Sequence, residues 1–246
     1  MIPLLATFLA CALTTPPPTD APVQRSGPTP VSSATYTWSW APAPADVTPR
    51  ADGGWVFTTD LGYTVELHEG QLVAYSAWLE PCPTHEVGWI DLFVAPAYAG
   101  HSVMSNPAAS RRPLVEDLTA LPTQTLPPVS FDPTHVCDVG ALFARGDRHT
   151  RPDGHDMMGT SITLKGVWKK GEQTQPFDLS TTIAHSAGTE LNASGTGTHL
   201  EVEVRRSLDG LFDGIDLATT PEPRVLRGVL ANLVDHTTFV ARRTDD

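Results

Sequence analysis

Alternation of apolar and polar positions dominates the chain. Thr35-Tyr36-Thr37-Trp38-Ser39-Trp40 places an aromatic ring at every second residue, the period of a half-buried strand. Residues 55–59 (WVFTT) follow a Gly53-Gly54 turn, and residues 63–68 (YTVELH) alternate again. A Glu69-Gly70 step separates that run from residues 71–79. Residues 89–94 (WIDLFV), 160–168 (TSITLKGVW), 177–183 and 199–204 (HLEVEV) complete the strand signals, with Ile162, Leu164 and Val167 expected on the core side of theirs. About nine short strands between Gly, Pro and Asp turns predict a mostly β protein, with an antiparallel β-sandwich as the expected architecture. Two stretches depart from period 2. Leu114-Val115-Glu116-Asp117-Leu118 after Pro113 reads as a helical turn in a long loop. Residues 221–235 read as a C-terminal helix: Val225, Leu226, Val229, Leu230, Leu233 and Val234 recur at spacings of three and four, and Pro221 suits the start. Gly228 weakens that helix by about 1 kcal/mol.

The N-terminus changes the picture. Residues 1–13, MIPLLATFLACAL, are apolar and uncharged but shorter than the roughly 20 residues that cross a bilayer as a helix. They match the hydrophobic region of a signal peptide. Phe8-Leu9-Ala10-Cys11 resembles a bacterial lipobox, which makes Cys11 the expected lipidation site; ordinary cleavage near Ala12 is the alternative. Residues 14–33 hold six prolines and almost nothing apolar to bury. A segment of this composition is extended and semi-rigid, so residues 14–34 are expected to be a tether. With no internal repeat or break in composition, residues 35–246 are expected to be a single β-sandwich domain.

Charge and motifs remove several function classes. The net charge is −12, and Arg205-Arg206 and Arg242-Arg243 are isolated pairs rather than a basic face. Duplex nucleic acid, which needs phosphate neutralisation, is therefore not an expected partner. The chain has no GxSxG elbow, HExxH pair, phosphate loop or GxGxxG. Residues 210–216, GLFDGID, read as an Asp-Gly turn rather than a calcium loop. No catalytic machinery is visible. Once Cys11 is set aside, Cys82 and Cys137 remain as an even pair, expected to be oxidised outside the cytoplasm. Their bond closes a loop of about 55 residues, worth about 4 kcal/mol on the chain-entropy model. The competing assignment, two thiolate ligands, lacks a CxxC partner for either.

The nine histidines are the one suggestive constellation. His85 follows Cys82; His101 opens Gly100-His101-Ser102-Val103-Met104; His155 lies in Pro152-Asp153-Gly154-His155-Asp156-Met157-Met158. Imidazole and thioether donors suit soft or borderline metals such as Cu(I). His68 and His199 sit on strand-like runs, where outward-facing polar positions are the simpler explanation.

Several stretches together resemble the MbnP-like family of periplasmic proteins. They are GYTVELHEGQLVAYSAWLEPC, the AGHSVMSNP loop with LVEDL, the Pro127-Pro128 step before the second cysteine strand, and Met158-Gly159-Thr160-Ser161 leading into ITLKGVW. LFDGIDL followed by RGVLANLVDHTTF closes the match. The resemblance implies a β-sandwich that binds copper through histidines, with His101 the matched ligand; His85 and His155 are further candidates on residue type and loop position. In some members an oxidised tryptophan, made by a di-haem peroxidase-like partner, is another ligand. This chain has no Trp-x-His pair, and core packing is the expected role of Trp78, Trp89 and Trp168.

The expected protein is thus a lipid-anchored periplasmic or cell-surface copper-handling protein without catalysis. Its expected partners are the membrane, through lipid on Cys11, and a di-haem peroxidase-like enzyme or a metal-uptake receptor. A metal-free structural or interaction module of the envelope is the alternative, and a hydrolase with an unrecognised site a third. Intact-mass analysis of envelope material is expected to show a mature chain lacking residues 1–10 and carrying lipid on Cys11. A chain still starting at Met1 would contradict export, and a start beyond Cys11 would contradict lipidation alone.

Overall fold

The computed structural model describes residues 29–83, 105–148, 150 and 156–245. In chain order the strands are β1 (Val31–Trp40), β2 (Val47–Pro49), β3 (Trp55–Thr58), β4 (Thr64–Pro81), β5 (Leu114–Asp117), β6 (Gln124–Thr125) and β7 (Val129–Thr134). There follow β8 (Val136–Phe143), β9 (Ile162–Lys170), β10 (Gln173–Thr181), β11 (His185–Glu190), β12 (Ala193–Gly195), β13 (His199–Arg206), the helix α1 (Glu222–Asp235) and β14 (Thr238–Thr244). The smaller sheet runs β12-β14-β13-β1-β6, with β7 also on β1; the larger runs β10-β9-β4-β3-β2, with β5 and β8 on β4 and β11 on β8. The mostly β sandwich with a C-terminal helix is as expected. The smaller sheet is mixed, however: β1 runs parallel to β13, and β12 to β14.

The chain carries more strands than its periodicity shows. β2, β5, β6 and β12 are four residues or shorter, too short for alternation to register. β1 begins at Val31, inside the stretch expected to be tether, because Val31 and Ala34 are both buried in the core. Glu69-Gly70, expected as a break, lies within the continuous β4. The register shifts there by a bulge between Leu67 and Glu69, and Gly70 keeps the strand close under Leu118 and Leu164. Residues 114–118, expected as a helical turn, instead supply β5, which pairs with residues 71–74 of β4. The strand expected at residues 89–94 lies outside the described residues.

The two sheets enclose one core. Tyr36 and Trp38 of β1 point inward, and Trp38 meets Phe143 of β8 edge-on with ring centres 5.9 Å apart. Phe57 packs on Phe212, and Tyr63 on Trp168, in the same T-shaped manner. The helix buries Val225, Leu226, Val229, Leu230 and Leu233, the stripe that its spacing marks. Gly228 has a packing reason: a Cβ there would come 2.9 Å from the Ile215 side chain.

The core also holds a charge pair. Arg206 of β13 and Glu116 of β5, both 0% exposed, form an ion pair across the gap between the sheets. Arg206 Nε donates to Ser39 O at 3.1 Å, and its guanidinium stacks over Trp40 at 4.4 Å and Trp38 at 5.2 Å. Burial alone pulls the guanidinium well below its ordinary range. The carboxylate and the two indole faces offset that cost. Removing the carboxylate leaves a buried charge without compensation, so Glu116→Leu is expected to lose about 3–5 kcal/mol in urea denaturation. The double variant Glu116→Leu, Arg206→Met is expected to be more stable than the single one; the reverse order would show that the pair does not act as a unit.

Candidate functional site

Cys82 and Cys137 are disulfide-bonded. The bond ties the end of β4 to β8, and Cys82 N–H adds a hydrogen bond to His135 O at 2.8 Å. Cys11, His85, His101 and His155 lie outside the described residues, as do Trp89 and His149. The described histidines are scattered. His68 occupies the bulge of β4, with Nε2 3.7 Å from Glu66. His199 is held by Ser33 at 2.8 Å and Thr35 at 3.1 Å. His236 follows α1, 3.5 Å from Asp209. His185 opens β11, and His135 lies between β7 and β8. Among the described residues no three His, Cys, Asp or Glu side chains come together as a metal site.

Two chain segments carry the remaining candidates, and both are rooted on β4. The first, residues 84–104 with His85 and His101, leaves after the disulfide. Where the chain is next described, Asn106 Nδ2 donates to Leu79 O at 2.8 Å and Ser110 N–H to Ala77 O at 2.7 Å. Ser76 Oγ closes the same junction on Ser110 O at 2.7 Å. The second segment carries His149 and His155. Before it, the Tyr75 hydroxyl donates to Asp147 Oδ2 at 2.8 Å. After it, buried Met157 packs with Val73, Val115 and Tyr75, and Gly146 bridges to Met158. Residues 73–81 of one strand therefore anchor both ends of each segment. Sequence reasoning missed these anchors, because Asn106, Ser110 and Asp147 look like ordinary loop residues until β4 is known to be continuous.

A second feature lies on the outer face of the larger sheet. Trp78 of β4, Gly140 of β8 and Gly188 of β11 form one cross-strand row. The indole lies on Gly140: its Cζ2, Cε2 and Cη2 sit 2.3, 2.6 and 2.8 Å from where a Cβ would project. Trp78 is thus a surface platform rather than the core residue expected, whereas Trp168 is buried as expected. The next row is Glu80, Asp138 and Glu190. Both rows line a groove of about 590 Å³ with Leu142 and Ser186. Among the described residues no ion pair engages any of the three carboxylates.

No protein-family model, curated protein or solved structure matches the chain.

The Tyr75 hydroxyl is pushed up to about 12, first by burial and then by its bond to the Asp147 carboxylate. A raised folded-state value means that this group's stabilisation is complete below the free tyrosine value of about 10 and lost as pH rises through about 12. Asp147→Asn is expected to bring the Tyr75 transition down in an ultraviolet tyrosinate titration, with Tyr75→Phe identifying the transition. A Tyr75 transition already at the ordinary value in the parent protein would show that the Tyr75–Asp147 anchor does not hold in solution.

Proposed function

We propose that this is an exported metal-handling protein that carries copper as cargo and performs no catalysis of its own. One observation carries the proposal: the segments with His85 and His101, and with His149 and His155, are both anchored on residues 73–81 of β4. The described ends of both segments thus meet a single stretch of one strand. Two or three imidazoles with a thioether or water are a donor set for Cu(I) or Cu(II). The described histidines contribute less to this reading, since His199, His68 and His236 each have a neighbour of their own. On this reading His101 would be the first ligand, with His85 and His155 as further ones. The lipobox-like Cys11 would hold the domain at a membrane, and the Cys82–Cys137 bond suits an oxidising compartment. A receptor or a di-haem peroxidase-like enzyme would be the partner that exchanges or modifies the site.

Ligation requires neutral imidazole, so affinity is expected to fall as pH drops through about 6. In a copper competition titration, His101→Ala is expected to weaken binding by more than about tenfold, equal to about 1.4 kcal/mol. His236→Ala, whose imidazole lies beside Asp209 after α1, is expected to match the parent protein. Equal affinity in all three would remove His101 from the site, and no stoichiometric uptake by the parent protein would remove copper handling altogether.

A further inference from the structure

Among the described residues, the edge strand β11 has a backbone with free hydrogen-bonding capacity. Leu191 N–H donates to Cys137 O at 2.7 Å, and Glu190 stands opposite Asp138. Leu191 and Cys137 are therefore a hydrogen-bonded pair, and in an antiparallel ladder such pairs alternate. His185, Ala187 and Thr189 direct their N–H and C=O groups to β8. Ser186, Gly188 and Glu190 direct theirs away from it, and among the described residues these groups meet no partner.

Exposed edges of this kind are normally blunted by brevity, proline, lysine or a bulge. The other edge strands follow that rule. β2, β5, β6 and β12 are four residues or fewer, β7 contains Pro133 and β10 contains Pro176. β11 is six residues of HSAGTE with no proline, no lysine and no register shift. Among the described residues the edge is open.

Two grooves flank it, and their chemistry differs. On the outer face lies the Trp78 platform with the row Glu80, Asp138 and Glu190. Like charges directly opposite each other on neighbouring strands are destabilising, so this row costs stability unless a cation joins it. On the other side of β11 a groove of about 590 Å³ is walled by Leu191, Val234, Phe239 and Ala241 together with the polar Asn192 and Asp235. A strand added to β11 would send alternate side chains to the two faces.

We propose that β11 receives an extended segment of a partner protein, added as a further strand, with basic residues on the outer face and apolar residues on the inner one. An arginine there would stack on Trp78 and extend the carboxylate row past Glu190. A second copy of this chain is the less suitable occupant: it would bring the same carboxylates and a further net charge of −12 to the interface. The proposal does not depend on copper being the cargo.

The test is calorimetric titration of the full mature chain with end-blocked octapeptides, beside sedimentation of the protein alone. The probe alternates Arg and Val; controls are four Arg followed by four Val, and alternating Glu and Val. The alternating Arg-Val peptide is expected to bind more than about tenfold tighter than either control, a difference of about 1.4 kcal/mol. N-methylating the alternate amides that face β11 is expected to abolish binding, and methylating the other set to spare it. On the protein side, Gly188→Pro removes an outward N–H and no ladder bond. A Cβ there meets Val139 O at 3.4 Å and Gly140 Cα at 3.9 Å, both ordinary contacts. This variant is expected to weaken binding by about tenfold with an unchanged melting temperature; should it fail to fold, the methylated peptides decide alone. Equal binding of the block peptide would reduce the effect to surface charge, and no binding would overturn the proposal. A dimer of the protein that Gly188→Pro abolishes would make a second copy the occupant.

Discussion

The larger sheet depends on one strand. β3, β5, β8 and β9 pair directly with β4, while β2, β10 and β11 reach it through a single neighbour. Eighteen residues at about 3.3 Å each make it roughly 60 Å long, too long for a single pair of partners. Its two halves therefore take different neighbours, β3 and β9 first, β5 and β8 later. The bulge at His68 and the register shift between Ala74 and Ser76 mark the transitions. Bulges bend and twist a strand, which lets one continuous backbone serve both halves. The consequence for function is positional. Everything that departs from β4 between Tyr75 and Cys82 is held by the same backbone, whatever its separation in sequence.

The Arg206–Glu116 pair fixes how the second sheet meets the first. Apolar residues of the same volume would pack this gap at least as well, so the pair is not explained by stability. It does impose a register. Glu116 must sit where Arg206, Ser39 and the two indoles converge, and this holds β5 against one part of β1 and β13. Because β5 lies beside residues 71–74 of β4, the same constraint sets the start of the anchoring stretch. A sliding β5 would move Val115, and with it the packing around Met157 and Tyr75.

The fold class was legible because long strands and the helix carry their period openly. Tyr36 and Trp38 in β1, Ile162 and Leu164 in β9, and the five buried residues of α1 all lie where alternation or helical spacing puts them. The cysteine pairing was legible from parity once Cys11 is set aside. What failed to show was set by contacts distant in sequence. Glu69-Gly70 reads as a turn because nothing local reveals that Leu118 and Leu164 fill the space above Gly70. Residues 114–117 read as helical because their charges mask a strand whose glutamate faces an arginine ninety residues away. Trp78 reads as core until Gly140 is found under its ring. That β11 is an edge strand among the described residues follows from pairing alone, and no composition of HSAGTE announces it. The histidine-bearing segments were found by residue type, and only the anchors on β4 relate them to one another.

The two proposed activities meet on the same framework. The histidine segments are anchored on β4, and β11 lies two strands across from it through β8. Neighbouring strands are separated by about 4.8 Å, so a strand added to β11 would run about 14 Å from β4. The carboxylate row Glu80, Asp138 and Glu190 spans that gap and begins just before Cys82, where the first histidine segment departs. Acidic side chains in a line raise the local concentration of cations, and hard oxygen donors hold copper ions less tightly than imidazole does. A metal ion moving between a docked partner and the histidines would thus cross a surface that attracts it without retaining it. The disulfide keeps that surface in register, since it ties β4 to β8 at the end of the row. On this arrangement partner binding and cargo binding are coupled through charge. A basic strand on β11 would neutralise the row, and a cation passing over it would do so while there, so each would lower the attraction the other finds. That sign of coupling is what release of cargo at a docked partner requires.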